Sequence, residues 1–215
     1  VPWGYYQWGV YYRKDLFDQL GLNVPRDWDE FKWVCAMLKK NGITPITIGS
    51  RFLWTAGGWF DYLNLRINGY QFHMDLTAGK VSYEDPRLDA VFDHWRELID
   101  PGYFLEDHQT YSWQDAQAPQ INGEAAMYLI GNFYVPTFEA AGIGDQMDFF
   151  QFPTIYEGVG VAEDAPTDTM HIPAGAKNVE DAKKFLAFMS NAVADGEWSK
   201  IAGTVSYTHI RANET

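Results

Sequence analysis

The residues of this sequence that could do chemistry are chiefly aromatic side chains interleaved with polar ones. The chain carries 9 Trp, 13 Tyr and 14 Phe among 215 residues. The aromatic residues form three clusters: Trp3, Tyr5, Tyr6 and Trp8; Phe52, Trp54, Trp59 and Tyr62; Phe133 and Tyr134. The interleaved polar residues are Gln7, Arg51, Asp61 and Asn132. Aromatic faces stack on the C–H faces of sugar rings while polar groups bond the hydroxyls, so this pattern predicts carbohydrate contact.

The competing interpretation is that the aromatic residues fill a hydrophobic core. It is favoured for Trp28, Trp33 and Trp95, which lie in or beside amphipathic helical patterns. Trp54 and Trp59 stand beside a pair of glycines in a predicted loop, and there both interpretations remain open.

The sequence offers little for covalent catalysis or metal binding. Its five histidines are scattered without ligand spacing, and the common phosphate-loop, dinucleotide, zinc-protease and nucleophile-elbow motifs do not occur. Cys35 lies on an apolar helical face, which favours a buried, inert thiol. We therefore predict no catalytic residue, no metal and no cofactor. The alternative is a sugar hydrolase that uses Asp61 and a second carboxylate.

Composition limits the kinds of binding partner and the classes of fold that this chain can have. The net charge of −13 disfavours nucleic acid and anionic membranes, because phosphate backbones require clustered Lys and Arg. Apolar residues make up 47% of the chain, which is enough for a folded core. The single cysteine excludes a disulfide framework and a cysteine-based zinc site. No stretch approaches the roughly 18 apolar residues that a membrane helix requires.

Hydrophobic periodicity predicts strands alternating with helices, which indicates an α/β fold. The predicted strands cover 5–12, 43–48, 125–130 and 147–152. The predicted helices cover 14–20, 28–41, 59–68, 86–100, a short stretch after Ser112, 133–141, 178–189 and 194–202. Asp27 and Glu30 form a predicted capping box, and Gly21 is a usual residue just after a helix. The loop-like segment 154–169 is the best candidate boundary.

Several motifs together resemble a known family. They are WGVYYRKDLF at 8–17, GL at 21–22, PRDWDEF at 25–31, GEAAM at 123–127, GNF at 131–133 and the segment 172–189. In this order they resemble the extracellular solute-binding proteins of the maltose-binding (family 1) type, which serve ABC sugar importers. Three departures stand out: Arg13 replaces a usual Asn, Phe133 a common Trp, and Pro119 interrupts a helix.

The resemblance implies a periplasmic binding protein type II-like fold, here with one nearly complete lobe plus part of the second. Residues 1–152 would form a crossover strand and most of the C-terminal lobe. Residues 153–203 would be a return segment of the N-terminal lobe, and 204–215 the approach to a third crossover. The N-terminal part of the first lobe has no counterpart here, so we expect this chain alone to bind sugar weakly or not at all.

The resemblance and the aromatic pattern together nominate the ligand-binding residues. They are Tyr6, Gln7, Trp8, Arg51, Trp54, Trp59, Asp61, Asn132, Phe133 and Thr169. By position in the family, Tyr6 follows the crossover and Phe133 is the stacking residue of a Gly-x-aromatic loop. Asn132 begins a helix, where backbone N–H groups are free to bind hydroxyls. Thr169 and His171 lie where the return segment passes the cleft.

The function that the resemblance implies is a carbohydrate receptor rather than an enzyme. It would capture a mono- or oligosaccharide between two lobes by hinge closure and deliver it to the permease subunits of an ABC importer. It would be a monomer when full length, located in the periplasm or outside the cell, with a lipid anchor as one form of attachment. The hydrolase and a lectin-like interaction module are the alternatives.

Overall fold

The computed structural model describes residues 1–202 and the backbone of 205–206. The chain divides into two compact units. The first contains 1–8, 131–140 and the chain from 165 onwards, and the second contains 9–130 and 141–164. Apart from the strand at 205–206, the predicted approach to a third crossover lies outside the described residues. The assignment of the two units to lobes stays a prediction.

Strands and helices alternate along much of the chain, which confirms the predicted α/β class. The strands are β1 Pro2–Tyr5, β2 Trp8–Arg13, β3 Thr44–Ile46, β4 Ala125–Gly131, β5 Met147–Phe150, β6 Thr167–Thr169 and β7 Val205–Ser206. The helices are α1 Lys14–Leu20, α2 Trp28–Lys40, α3 Trp54–Ile67, α4 Gly69–Thr77, α5 Asp89–Ile99, α6 Gln117–Ile121, α7 Val135–Ala140, α8 Val179–Met189 and α9 Ala192–Ala202. Within residues 1–202, no helix has the length and apolar character needed to cross a membrane.

The second unit is organised by a mixed sheet of strand order β3-β4-β2-β5. β3 runs parallel to β4, and β2 runs antiparallel to β5. All seven residues of β4 are buried, which explains why its sequence is a continuous apolar run rather than an alternating one. The first unit has a smaller sheet of order β6-β1-β7, in which both outer strands run antiparallel to β1.

The predicted helix ends of the second unit are mostly correct. The Asp27 carboxylate accepts a hydrogen bond from the backbone N–H of Glu30 at 2.8 Å, as the capping box requires. The Glu30 carboxylate reaches the N–H of Arg26 rather than that of Asp27. Gly21 takes a left-handed conformation with φ +64° after α1, as predicted.

The prediction was wrong around α3, which begins at Trp54 and not near Trp59. The sequence predicts a loop at Gly57 and Gly58, but both residues lie inside the helix. Gly69, with φ +81°, follows the end of α3 as predicted. It also opens α4, a helix that the sequence analysis missed. The predicted strand over 5–12 is two strands, β1 and β2, interrupted at Tyr6 and Gln7.

Candidate functional site

The loop that enters α3 presents large apolar side chains to solvent. Leu53 is 73% exposed and Trp54 is 39% exposed, and Phe52 beside them is also exposed. Leu53 has φ +64°, a left-handed conformation that costs a residue other than glycine about 1–3 kcal/mol. Strained backbone is typical of functional sites, and exposed apolar side chains at a strained loop favour a binding role.

A second loop holds this one in place. The N–H groups of Ser50 and Arg51 donate to the carbonyls of His108 and Tyr111 at 3.0 and 3.1 Å. Ser50 Oγ lies 2.7 Å from His108 Nδ1. The two loops approach so closely at Gly49 that a Cβ atom there would lie 2.0 Å from a backbone oxygen, so glycine is required for steric reasons.

The indole of Trp54 is oriented by Trp113, which the second loop carries. The two ring centroids lie 6.0 Å apart with an interplanar angle of 66°, an edge-to-face arrangement. Trp113 was not among the predicted site residues. Its sequence setting, in the stretch after Ser112 where a short helix is predicted, gave no signal that it meets Trp54.

Asp61 lies on α3 two turns beyond Trp54, half-buried beside His73 of α4. Burial raises the pKa of Asp61 from its usual value near 4 to about 6. His73 Nδ1 lies 3.9 Å from the nearer Asp61 oxygen. That nitrogen also lies 3.4 Å from Asn64 Nδ2, and the Asn64 side-chain oxygen accepts from Asn68.

This chain of hydrogen bonds indicates the protonation state of His73. The Asn64 amide nitrogen must donate, so His73 Nδ1 accepts and carries no proton. Burial also lowers the pKa of His73. A neutral imidazole therefore stands beside Asp61 at neutral pH, and it does not compensate the carboxylate charge.

A second acidic group, Asp164, lies close to Asp61. Burial, and then the neighbouring charge of Asp61, raise the pKa of Asp164 to about 6. The adjoining Glu163 is held by two groups of α3: Tyr62 Oη donates to Glu163 Oε2 at 2.9 Å, and Arg66 Nη2 pairs with Glu163 Oε1 at 2.5 Å. Arg66 also donates to the carbonyls of Phe152 and Ala162. This network fixes the segment that precedes residue 165 onto α3.

The structure places Trp59 where ligand contact does not fit. Trp59 has no exposed surface and packs against Phe31, Phe104 and Phe152, with ring centroids 5.1–6.3 Å apart. It is a core residue, because the face of α3 that carries Trp59 and Tyr62 points into the unit. The assignment of Trp59 to the ligand set is therefore corrected.

The first unit brings a second group of predicted residues together. The rings of Tyr6 and Phe133 meet edge to face, with centroids 5.1 Å apart. The backbone N–H of Asn132 donates to the carbonyl of Gln7 at 3.0 Å. A Cβ atom on Gly131 would lie 2.3 Å from the Phe133 ring, so the missing side chain lets the ring fold back over the turn.

The remaining predicted residues of the first unit, Trp8 and Thr169, are placed less favourably for contact with a ligand. Trp8 is buried at the start of β2. Thr169, exposed at the end of β6, lies with its Oγ1 2.7 Å from His171 Nε2. In the part of the chain that the structure describes, no group of three or more His, Cys, Asp or Glu side chains could hold a metal ion.

The site residues thus fall into two groups, one in each unit. The first unit brings Tyr6, Gln7, Asn132 and Phe133 together. In the second unit, Arg51 lies in the loop before α3, and Trp54 and Asp61 lie on α3 itself. Sequence reasoning missed Trp113, His73 and Asp164. The signal that could have found His73 is the helical spacing of α4, which places it on the same helix as Gly69 to Thr77.

Comparison with known proteins places the chain in a family. Residues 1–195 match the model of the bacterial extracellular solute-binding proteins, and the chain belongs to that family. Members of the family bind solutes for ABC importers and are not enzymes, so the hydrolase alternative is set aside.

Among the relatives is an uncharacterised extracellular-binding protein of an ABC transporter from Pyrococcus horikoshii. It is 30% identical over 91% of this chain and 44% of its own length. The multiple sugar-binding protein of Streptococcus mutans is 26% identical over 91% of this chain and 48% of its own length. The chain thus spans about half the length of the relatives it matches.

Solved structures of solute-binding proteins also match nearly all of this chain with about half of their own length. The bacterial solute receptor AcbH, described as preferring β-D-galactopyranose exclusively, is 36% identical with a TM-score of 0.83. The alignment covers 94% of this chain and 51% of AcbH. A chitin oligosaccharide binding protein, 24% identical with a TM-score of 0.85 over 96% of this chain and 53% of its own, shares the fold. These likenesses confirm the predicted fold.

Proposed function

We propose that this chain belongs to the carbohydrate receptor of an ABC importer, which captures a mono- or oligosaccharide and delivers it to the permease subunits. The observation that carries the proposal is the exposed aromatic loop at the start of α3. Its strained Leu53, its Trp54 platform and the carboxylate of Asp61 provide an apolar face and a hydrogen-bond acceptor on one element. The receptor would work as a monomer outside the cytoplasmic membrane, with or without a lipid anchor.

The two units would be parts of the two lobes of such a receptor. The second unit would be most of the C-terminal lobe, and the segment from 165 to 203 would belong to the N-terminal lobe. The exposed apolar residues of α8 and α9, among them Phe185, Phe188 and Ile201, support this assignment. None of the residues of α8 is buried, although the helix is amphipathic. The relatives are about twice as long as this chain, and their additional residues would cover the apolar face of such a helix.

The relatives suggest which sugars to try first. AcbH, the solved relative at 36% identity, is described with β-D-galactopyranose. Others were solved with raffinose or mannotriose. D-galactose, raffinose and mannotriose therefore form a panel that covers one hexose and two trisaccharides of different linkage.

Saturation-transfer NMR with millimolar sugar tests the proposal, because it detects weak complexes. We expect transfer from the protein to the C–H protons of at least one sugar of the panel. Trp54→Ala should abolish that transfer. Trp33→Ala removes another tryptophan of the second unit, 55% exposed on α2, and should leave it unchanged. Transfer that survives Trp54→Ala, or an equal loss in both variants, contradicts the proposal.

A further inference from the structure

The tripeptide Ile-Asn-Gly occurs twice in the second unit, with Asn68 in the first copy and Asn122 in the second. In each copy the asparagine ends a helix in the right-handed conformation, with ψ −13° at Asn68 and −5° at Asn122. In each copy the glycine follows with a positive φ, +81° at Gly69 and +78° at Gly123, as is usual just after a helix. The two segments therefore share their local sequence and their backbone conformation.

An asparagine followed by glycine can react with its own backbone. The glycine nitrogen attacks the side-chain carbonyl carbon of the asparagine, and a C–N bond forms while the side-chain nitrogen leaves as ammonia, which takes up the proton of the glycine N–H. Water then adds to one of the two carbonyls of the resulting cyclic imide and opens the ring. The products are aspartate and isoaspartate, in which the main chain runs through the side-chain carbonyl. Glycine favours the ring closure because no Cβ atom shields its nitrogen.

The two copies differ in what holds the asparagine side chain. Asn68 is half-buried, and its Nδ2 donates to the Asn64 side-chain oxygen at 2.9 Å and to the Arg87 carbonyl at 3.2 Å. Asn122 is exposed, and within residues 1–202 its carboxamide makes no hydrogen bond. Ring closure requires the carboxamide to turn towards the next backbone nitrogen. Asn68 must first give up two hydrogen bonds, whereas Asn122 gives up none.

A third asparagine followed by glycine, Asn41, is exposed but is also restrained. Its Nδ2 donates to the carbonyl of Met37 at 2.8 Å, at the end of α2. The N–H groups of Gly42 and Gly123 each donate to the carbonyl three residues before them, at 3.0 and 3.1 Å, so the attacking nitrogens of these two sites are held alike. The side chain is therefore what distinguishes Asn122 from Asn41.

We propose that Asn122 is the site at which this protein deamidates in its native state. The turn that carries Asn122 joins α6 to the buried strand β4, and the buried Arg13 guanidinium donates to the carbonyls of Gln120 and Ile121 in this turn, at 2.8 and 2.9 Å. An isoaspartate at 122 adds one backbone carbon to the turn and displaces it from Arg13. The reaction therefore adds a negative charge and, in its isoaspartyl product, weakens the fold as the protein ages.

Peptide mapping by mass spectrometry, after incubation of the whole chain at mildly alkaline pH, measures the conversion at each site. In the native protein, Asn122 should convert at least about fivefold faster than Asn68 or Asn41, since one hydrogen bond of ordinary strength slows the reaction by about that factor. In urea the hydrogen bonds are lost, and Asn122 and Asn68 should convert at nearly equal rates because their immediate neighbours are identical. Equal rates in the native protein, or the same excess at Asn122 in urea, overturn the proposal.

Two variants separate the modification from its effect on stability. Asn122→Gln would have to close a larger ring and should show no conversion at this position over the same time. Asn122→Asp adds the charge without the extra backbone carbon. The isoaspartyl form, separated chromatographically from aged wild type, should have a Tm at least about 2 °C below both variants. A Tm equal to that of Asn122→Asp would overturn the effect on the fold, because the turn would then keep its contacts with Arg13.

Discussion

The carboxylate of Asp61 should destabilise the native protein at neutral pH, so Asp61→Asn should stabilise it. Burial raises the pKa of Asp61, and that of Asp164 beside it, from 3.8 to about 6. A shift of this size is worth about 3 kcal/mol for a fully buried group. Asp61 is about one-third exposed, and solvent screening reduces the figure to about 1 kcal/mol.

The sign of this effect follows from linkage. A carboxyl group whose pKa is higher in the native state binds its proton more tightly there, so its contribution to stability falls as the pH rises from about 4 to about 6. Above pH 6 the full penalty is present. Asp61→Asn removes that penalty together with the repulsion on Asp164. We expect the free energy of unfolding to rise by about 1 kcal/mol at pH 8 and to be nearly unchanged at pH 4.5.

Urea unfolding followed by fluorescence at both pH values measures the difference. Glu106→Gln serves as the control, because Glu106 is an exposed loop carboxylate, and it should change neither value. The carboxyl carbon signal of Asp164 should titrate at lower pH in Asp61→Asn than in the wild type. The reasoning is refuted if Asp61→Asn destabilises the protein at pH 8, or if its effect is the same at both pH values. Sugar binding should weaken in the same variant, because the neutral amide oxygen of Asn is a weaker hydrogen-bond acceptor than the carboxylate of Asp61.

Three further predictions concern the framework of the second unit. Glu163→Ala leaves the Arg66 guanidinium, 1% exposed, without its counter-charge. The free energy of unfolding in urea titrations should fall by about 3–5 kcal/mol. Adding Arg66→Met should recover much of that loss, and no recovery would show that the two residues are not coupled. Gly49→Ala should displace the loop that carries the Ser112 carbonyl and weaken the near-ultraviolet circular dichroism of the tryptophans; an unaltered spectrum would contradict the close approach. Cys35 is fully buried, and burial raises the pKa of its thiol. An aromatic disulfide reagent should therefore label Cys35 only at the rate at which the protein unfolds. Rapid labelling of the native protein would contradict the packing of α2.

Local signals in the sequence predicted helix ends and buried strands well. The Asp27 cap, the left-handed Gly21 and the apolar run of β4 each express a preference set by a few neighbouring residues. The motif-based assignment to the solute-binding family was also correct, because it used many positions in a fixed order.

The site was harder to predict because it depends on which face of α3 is buried. The pair Gly57 and Gly58 signals a loop in isolation, yet tertiary packing overrides that preference and the helix begins at Trp54. That earlier start separates Trp54 and Trp59, which looked equivalent in the sequence, onto an exposed and a buried face. The meeting of Trp54 with Trp113 depends on a contact between distant segments, which no local pattern encodes.

Hydrogen bonds and an ion pair of the Arg66 guanidinium hold together the two ends of the loop between Phe152 and Glu163. The guanidinium holds the carbonyl of Phe152 on one side and the Ala162–Glu163 segment on the other, and the chain between them is largely exposed around Gly158. A protease that cuts near Gly158 would leave two chain ends that both remain bound to the Arg66 side chain. The nicked second unit should stay folded, and the loop should accept an inserted peptide or tag, which makes it a natural place to attach a reporter.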